Sequence, residues 1–293
     1  MNHEELIQSE YYAATATRYD AMHVAEDDEH GIALPYISPP LSAMGVRSVL
    51  DVGCGTGRAL TFLKRKQPEL SLYGVELVPE LLDQASSKGI ARTALVRGSG
   101  LDLPFAARSF DAVIECGVLH HVRDPSRVVT EMMRVARKGV FLSDHNIFGQ
   151  GRAPVRVLKL SFYSMGLWKL FKLIQTRGRG YTISDGDGLA YSYSVYFQHS
   201  SLLQWANRLV AIPIAPARNS FFSHWSPVLS SDSVLLCALR DPSFPEGTTC
   251  EGFLSGNIFL RGVKSAYSHL KMRNRHGRVY QLSNQVSDVA DRL

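Results

Sequence analysis

Between residues 46 and 145, short apolar runs alternate with longer segments in which apolar residues recur every three or four positions. The runs VRSVLDV (46–52), LSLYGVE (70–76), TALVRG (93–98), FDAVIEC (110–116) and GVFLSDH (139–145) predict strands. The segments between them predict helices after Gly57, after Pro79 (PELLDQASSKG) and after Asp124 (DPSRVVTEMMRVAR). Pro79 suits a first helical turn. Asp124 reads as an N-cap, with Arg134, Arg137 and Lys138 near the far end, where the helix dipole favours cations. Strands alternating with helices predict a parallel sheet covered by helices on both faces.

The alternation lapses after residue 145 and resumes with a helix near SLLQWANR (201–208) and strands near VAIPIAP (210–216) and SVLLCALR (233–240). These would complete a seven-stranded, mostly parallel α/β sheet. The lapse contains no acid between residues 145 and 184. Arg156 and Lys159 share one helical face, as do Lys169 and Lys172, with Gly166 between the pairs and apolar residues around them. This predicts a broken, basic, amphipathic helical lid over a pocket, with a face suited to an acidic lipid surface. DGDG (185–188) lacks the later acids of a calcium loop and reads as a turn. LAYSYSVYF (189–197) alternates at period two, placing Tyr191, Tyr193, Val195 and Phe197 on one face of a strand or pocket wall. The expected organisation is an N-terminal helical cap (1–45), a ligand-binding core (46–145), the inserted lid (146–199), completion of the sheet (200–241) and a C-terminal extension (242–293). The basic stretch 261–278 reads as a solvated surface.

The chain has 293 residues, 45% hydrophobic and 20% charged, enough to bury a sizeable core. A net charge of +5 suits an anionic partner, but no motif set for nucleic acid accompanies it. Cys54, Cys116, Cys237 and Cys250 show no C-x-x-C spacing and are expected to be reduced thiols. The first ten residues are polar and no run of 18 apolar residues occurs, so the expectation is a cytoplasmic protein.

The stretch from Val49 to Gly57 carries the chemistry. An apolar run ends in Asp51, and Gly53, Gly55 and Gly57 follow with small residues between them. Such a turn lets a ligand meet bare backbone at a helix N-terminus, where free N–H groups favour anionic groups. A dinucleotide fingerprint needs G-x-G-x-x-G, and Arg58 stands where its third glycine would be. The D-x-G-x-G-x-G pattern resembles the first motif of class I S-adenosylmethionine-dependent methyltransferases. Gly98-Ser99-Gly100-Leu101-Asp102-Leu103-Pro104-Phe105, ahead of Ser109-Phe110-Asp111, is similar to the GDAEDLPF…SFD segment of the group that includes ubiquinone and menaquinone methylating enzymes. Leu119-His120-His121 matches that group's LHH segment.

The resemblance implies a Rossmann-like fold, S-adenosyl-L-methionine as cofactor, and cofactor contacts from Tyr19, Asp51, Gly53, Cys54, Gly55, Gly57, Glu76, Leu77, Ser99, Gly100, Leu101 and Cys116. Glu76 would hold the ribose hydroxyls, Leu77 would lie on the adenine, and Tyr19 would fold over the cofactor. The group usually has an acid where Ser99 stands, so Ser99 would accept the adenine amino hydrogen bond more weakly. His120 and His121 would be catalytic, an imidazole taking a proton from the acceptor. Asp144 would orient a histidine or a substrate hydroxyl. No metal is expected, since Glu115 lies inside a strand and the loop after it holds no acid. The acceptor would be a small molecule, attacked through O or N and possibly phosphorylated or lipid-linked. Two rival classes are a non-catalytic S-adenosylmethionine-binding protein and a nucleotide-dependent oxidoreductase.

Overall fold

The apolar runs pair into one sheet in the computed structural model, which describes residues 3–184, 186–216, 227–240, 271–273 and 279–281. The strands are β1 (Ser48–Val52), β2 (Ser71–Glu76), β3 (Leu95–Arg97), β4 (Phe110–Cys116) and β5 (Ala136–His145). A separate hairpin follows, β6 (Tyr181–Ser184) and β7 (Gly188–Tyr191), and then β8 (Arg208–Pro216) and β9 (Ser231–Leu239). The sheet order is β3-β2-β1-β4-β5-β9-β8. Strands β1 to β5 run parallel, and β9 lies antiparallel between β5 and β8. The expected seven-stranded, mostly parallel sheet is therefore present. Its connections reverse between β1 and β4, which opens a crevice at the C-terminal strand ends, the usual ligand position in open α/β sheets.

Three N-terminal helices, α1 (His3–Thr15), α2 (Tyr19–His23) and α3 (Glu29–Ala43), precede β1. The sheet helices are α4 (Arg58–Lys66), α5 (Pro79–Ser87) and α6 (Pro125–Val135). The insert carries α7 (Ala153–Ser164) and α8 (Trp168–Gln175), and α9 (His199–Trp205) precedes β8. One face of the sheet packs Ile37 and Leu41 of α3 and Leu63 of α4 against Val49, Ile114 and Phe141. The other packs Val128, Val129, Met132 and Val135 of α6 against Leu50, Val113 and Val140. All of these are fully buried, and each such side chain contributes about 1.5–3 kcal/mol relative to exposure.

Several boundaries differ from the sequence reading. Asp124 does cap α6, its carboxylate accepting the Arg127 N–H at 3.2 Å. The helix ends at Val135 instead of continuing through Arg137, because Ala136 is extended and pairs with Phe110 of β4. The stretch 189–197 is not a single strand. β7 stops at Tyr191, and the Ser194 hydroxyl accepts the Tyr196 N–H to cap a 3-10 turn over Val195–Gln198.

The insert breaks at Gly166, whose φ of +73° ends α7, as its spacing predicts. Its first charged pair does not face outward, however. Arg156 and Lys159 are buried: Arg156 donates to the carbonyls of Gly151 (2.6 Å) and Leu229 (3.0 Å), and Lys159 to those of Ile147 (3.0 Å) and Gln150 (3.2 Å). Buried carbonyls need donors, and these two cations supply them. No described helix is long and apolar enough to cross a membrane. The C-terminal extension, with Cys250 and the basic stretch 261–278, lies outside the described residues apart from the paired strands Lys271–Arg273 and Val279–Gln281.

Candidate active site

The turn after β1 holds its glycines for different reasons. Gly53 has φ +69°, and a Cβ there would lie 2.3 Å from Val118 Cγ2, so nothing larger fits. Gly55 has φ +50°, and its nearest neighbour would be the Tyr19 hydroxyl at 3.8 Å. Its bare face therefore opens on a cavity. Gly57 starts α4 and packs against Ala85, bordering neither cavity described below. Cys54 turns its thiol into the core among Leu60 and Leu82 and offers the site its backbone.

Two cavities of about 130 and 390 Å³ meet at Tyr12, Tyr19, Gly53, Gly55, Cys116, Gly117 and His121. Glu76, Leu77, Ser99, Gly100 and Leu101 line the smaller one, so the fold gathers the expected nucleoside contacts in one place. The Glu76 carboxylate accepts N–H groups of Gly55 (3.1 Å), Leu77 (2.8 Å) and Val78 (3.0 Å). Burial nevertheless holds its pKa above the ordinary value. A carboxylate has about four acceptor positions, which leaves about one for an incoming hydroxyl.

Ser99 is placed differently from the expectation. Its hydroxyl donates to Glu5 Oε1 at 2.6 Å and accepts the Leu101 N–H at 3.2 Å, so it is not a lone acceptor at the cavity wall. Glu5, from α1, brings a carboxylate beside the position where an acid was missing, and it also lines this cavity. No spacing rule links residues 94 positions apart.

The N-terminal segment is tied over the glycine turn. Thr56 donates to Asp20 at 2.6 Å, and Arg58 pairs with Asp28 and donates to the carbonyls of His23 and Ala25, both at 3.1 Å. This holds Tyr19 above Gly55, where its ring meets those of Tyr12 and His23 with centroids 5.6 and 4.8 Å apart.

Acidic and imidazole groups crowd the larger cavity. Asp51 lines it with Oδ1 buried and without a partner; burial and then the Glu76 charge push its pKa up to about 8. His120 Nδ1 donates to Asp144 Oδ1 at 2.7 Å, and Asp144 also accepts the Leu119 N–H at 2.7 Å. Asp144 thus orients a histidine, as expected. His120 Nε2 is buried and has no hydrogen-bond partner; Asp187 Oδ2 stands 3.5 Å away, an ionic neighbour only. Burial opposes a charge on His120, but Asp144 and Asp187 override it and raise its pKa to about 10. His121 Nδ1 donates to the Leu189 carbonyl at 2.6 Å, and its Nε2 faces the Tyr12 hydroxyl at 3.0 Å and Asp187 Oδ1 at 3.4 Å. Burial and the neighbouring His120 charge lower its pKa. His145 stacks on His120 with centroids 4.0 Å apart.

Asp187 is the residue that sequence reasoning missed here. It lies in the β6–β7 turn, read only as a turn, and among the described residues of the insert it and Gly186 border the cavity. Residues of α7 and α8 do not line either cavity.

An open α/β sheet with a glycine-lined crevice at its reversal point and a carboxylate ending the next strand defines a Rossmann-like fold with a crevice where such sheets place their ligands. Residues 50–143 match the model of a methyltransferase domain. It is 33% identical over 135 residues to a demethylmenaquinone methyltransferase of Deinococcus radiodurans, covering 44% of this chain and 56% of that protein. It is 30% identical over 98 residues to ajmaline N-methyltransferase of Rauvolfia serpentina, covering 32% and 33% respectively. The chain thus spans from a third to just over half of these relatives. In fold it is similar to the magnesium protoporphyrin IX methyltransferase of Synechocystis PCC 6803 solved with bound SAH. The TM-score is 0.51 at 18% identity, over 81% of this chain and all of that one.

Proposed function

We propose that this protein is an S-adenosylmethionine-dependent methyltransferase acting on O or N of a small-molecule acceptor. The observation that carries the reading is the pair of joined cavities, one built for a nucleoside and one lined by histidines, meeting at Gly55. The residues present fit the cofactor. Gly55 gives a cradle that a side chain would fill, Glu76 keeps an acceptor position for ribose, and Asp51 offers a buried, unpartnered oxygen to a cationic ligand. Tyr19 would cover the junction, Leu77 would flank the adenine, and Glu5 with Ser99 would face its amino group. Cys116 would floor the methionine end. When bound, S-adenosylmethionine supplies a methyl group already activated by positive sulfur. The chain's share is alignment and exclusion of water. His120 and His121 meet the acceptor, with Asp144 fixing the His120 ring. A dinucleotide oxidoreductase is disfavoured by Arg58, whose side chain is committed to the N-terminal segment.

A lipid-linked acceptor, or contact with a membrane surface, draws support from the insert. Leu158, Met165, Leu170, Leu173 and Ile174 are exposed beside the exposed cations Arg152, Lys169, Arg177 and Arg179. The burial of Arg156 and Lys159 leaves fewer charges for such contact than the sequence implies. We place the activity in the cytoplasm, in keeping with the free thiols Cys54, Cys116 and Cys237.

The test is a panel of hydroxylated, amine, phosphorylated and prenylated acceptors incubated with S-adenosylmethionine, with S-adenosylhomocysteine release as the readout. Turnover of one acceptor class supports the reading. Cofactor binding with no turnover across the panel favours a binding protein without catalysis.

A further inference from the structure

We propose that His120, His121 and Asp187 form a divalent transition-metal site, filled in the first instance by zinc, with one position open to the acceptor. The three side chains present ligand atoms within 4.8 Å of one another. Asp187 Oδ2 lies 3.5 Å from His120 Nε2, and Oδ1 lies 3.4 Å from His121 Nε2. These separations are long for hydrogen bonds. Zinc bound at about 2.0–2.1 Å in tetrahedral geometry sets its ligand atoms about 3.3 Å apart. The two separations run to different carboxylate oxygens, and with one ligand atom from each residue within 4.8 Å of the others they leave room for an ion between the Asp187 carboxylate and the two rings.

An independent observation points the same way. His120 Nε2 is buried, aimed into the cluster and without a hydrogen-bond partner. An orphaned buried nitrogen costs free energy unless something binds it. Both imidazoles are also anchored from behind. His120 Nδ1 is held by the Asp144 carboxylate at 2.7 Å and His121 Nδ1 by the Leu189 carbonyl at 2.6 Å. Metal-bound histidines are oriented in this way, the far N–H given to a carboxylate or carbonyl, and a divalent ion would displace the proton that His120 Nε2 otherwise carries. The carboxylates of Asp144 and Asp187 together balance a divalent charge. His120, Asp144 and His145 also lie close enough to share an ion. That trio is the weaker choice, because Asp144 is already committed to His120 Nδ1 and to backbone N–H groups.

Two histidines and one carboxylate leave a fourth position open in catalytic zinc sites, and here the cluster borders the larger cavity. An acceptor hydroxyl in that position would lose its proton to water more readily. Its oxygen would then form the new bond to the methyl carbon while the carbon–sulfur bond breaks. The existence of the site is argued from side chains alone, whereas this use of it rests on the methyltransferase reading and favours an oxygen acceptor.

The experiment is calorimetric titration of chelator-stripped protein with zinc chloride, with cobalt(II) absorption as a check on coordination. The expected result is one ion per chain. Loss of a partner behind a ligating histidine costs on the order of 10–100-fold in affinity, and Asp187→Asn, which replaces a directly ligating carboxylate with a neutral amide at a half-buried position, is expected to lose at least as much. Tyr12→Phe removes only a hydroxyl that competes for His121 Nε2 and should bind zinc at least as well as wild type. Absence of binding overturns the proposal, and so does wild-type affinity in Asp187→Asn, which would put the ion elsewhere. S-adenosylhomocysteine is titrated in parallel. Nucleoside binding without zinc sinks the metal site alone, whereas zinc binding without the nucleoside sinks the methyltransferase reading.

Discussion

Replacing Gly55 by valine tests the junction of the two cavities. Gly55 has φ +50°, a region that costs an L-residue about 1–2 kcal/mol. A Cβ at this position meets nothing nearer than Tyr19 at 3.8 Å, so the core is not disturbed. We take the folding penalty as about 2 kcal/mol, which in a protein of this size lowers Tm by about 3 °C. The two γ-carbons extend about 1.5 Å further, into the mouth where both cavities meet. Binding should suffer far more than folding: a loss of at least about 100-fold, or about 2.7 kcal/mol. The assay is calorimetric titration with S-adenosylhomocysteine beside thermal melts of the same samples. Gly55→Ala carries the strain but not the γ-carbons, and is expected to melt like the valine variant while keeping most of its affinity. Wild-type affinity in a folded Gly55→Val protein would refute the placement of the ligand at this turn.

Three further outcomes are expected. Asp51 has a folded pKa of about 8, above its unfolded value, so the unfolded chain ionises first and stability falls as pH rises from about 4 to 8. Asp51→Asn should therefore gain Tm over wild type at pH 9 relative to pH 5 while binding S-adenosylmethionine more weakly; an unchanged Tm difference between the two pH values contradicts this. Arg58→Ala releases Asp28 and two carbonyls, and limited proteolysis should then cut within residues 19–30 faster than in wild type. Burial tends to raise the Asp28 pKa, but hydrogen bonds from Arg58, Gly31 and Ala25 prevail and hold it below the ordinary value. The stability that Asp28 contributes is thus present above the usual carboxylate range and lost as pH falls below it, and the variant should show less of that acid loss in melts. Glu5→Gln keeps the shape beside Ser99 but removes the charge, and should weaken cofactor binding by several-fold, measurable by the same titration; no change would remove Glu5 from the site.

The sheet was legible because its inner strands are continuous apolar runs closed by chemistry-bearing residues, such as Asp51 in β1 and Glu76 at the end of β2. The glycine spacing located the tight turn after β1, since local backbone demands are written in neighbouring residues. Errors arose where tertiary pairing decides. The end of α6 has no glycine or proline to stop it, and only the ladder between Ala136 and Phe110 sets the boundary. Arg156 and Lys159 read as a charged face because sequence does not show which carbonyls lack donors. Asp187, Glu5 and Gln8 stayed invisible for another reason. They meet the site from elements far away in the chain, as when Gln8 accepts the Leu189 N–H at 2.8 Å and so joins α1 to the β6–β7 hairpin.

The most direct measurement of the central claim is calorimetric titration of the unmodified chain with S-adenosylhomocysteine, with NADH and FAD as comparison ligands. The account predicts one saturable site per chain for the sulfur nucleoside and none for either comparison ligand. A flat titration with the nucleoside, or a saturable site for a dinucleotide instead, would contradict it.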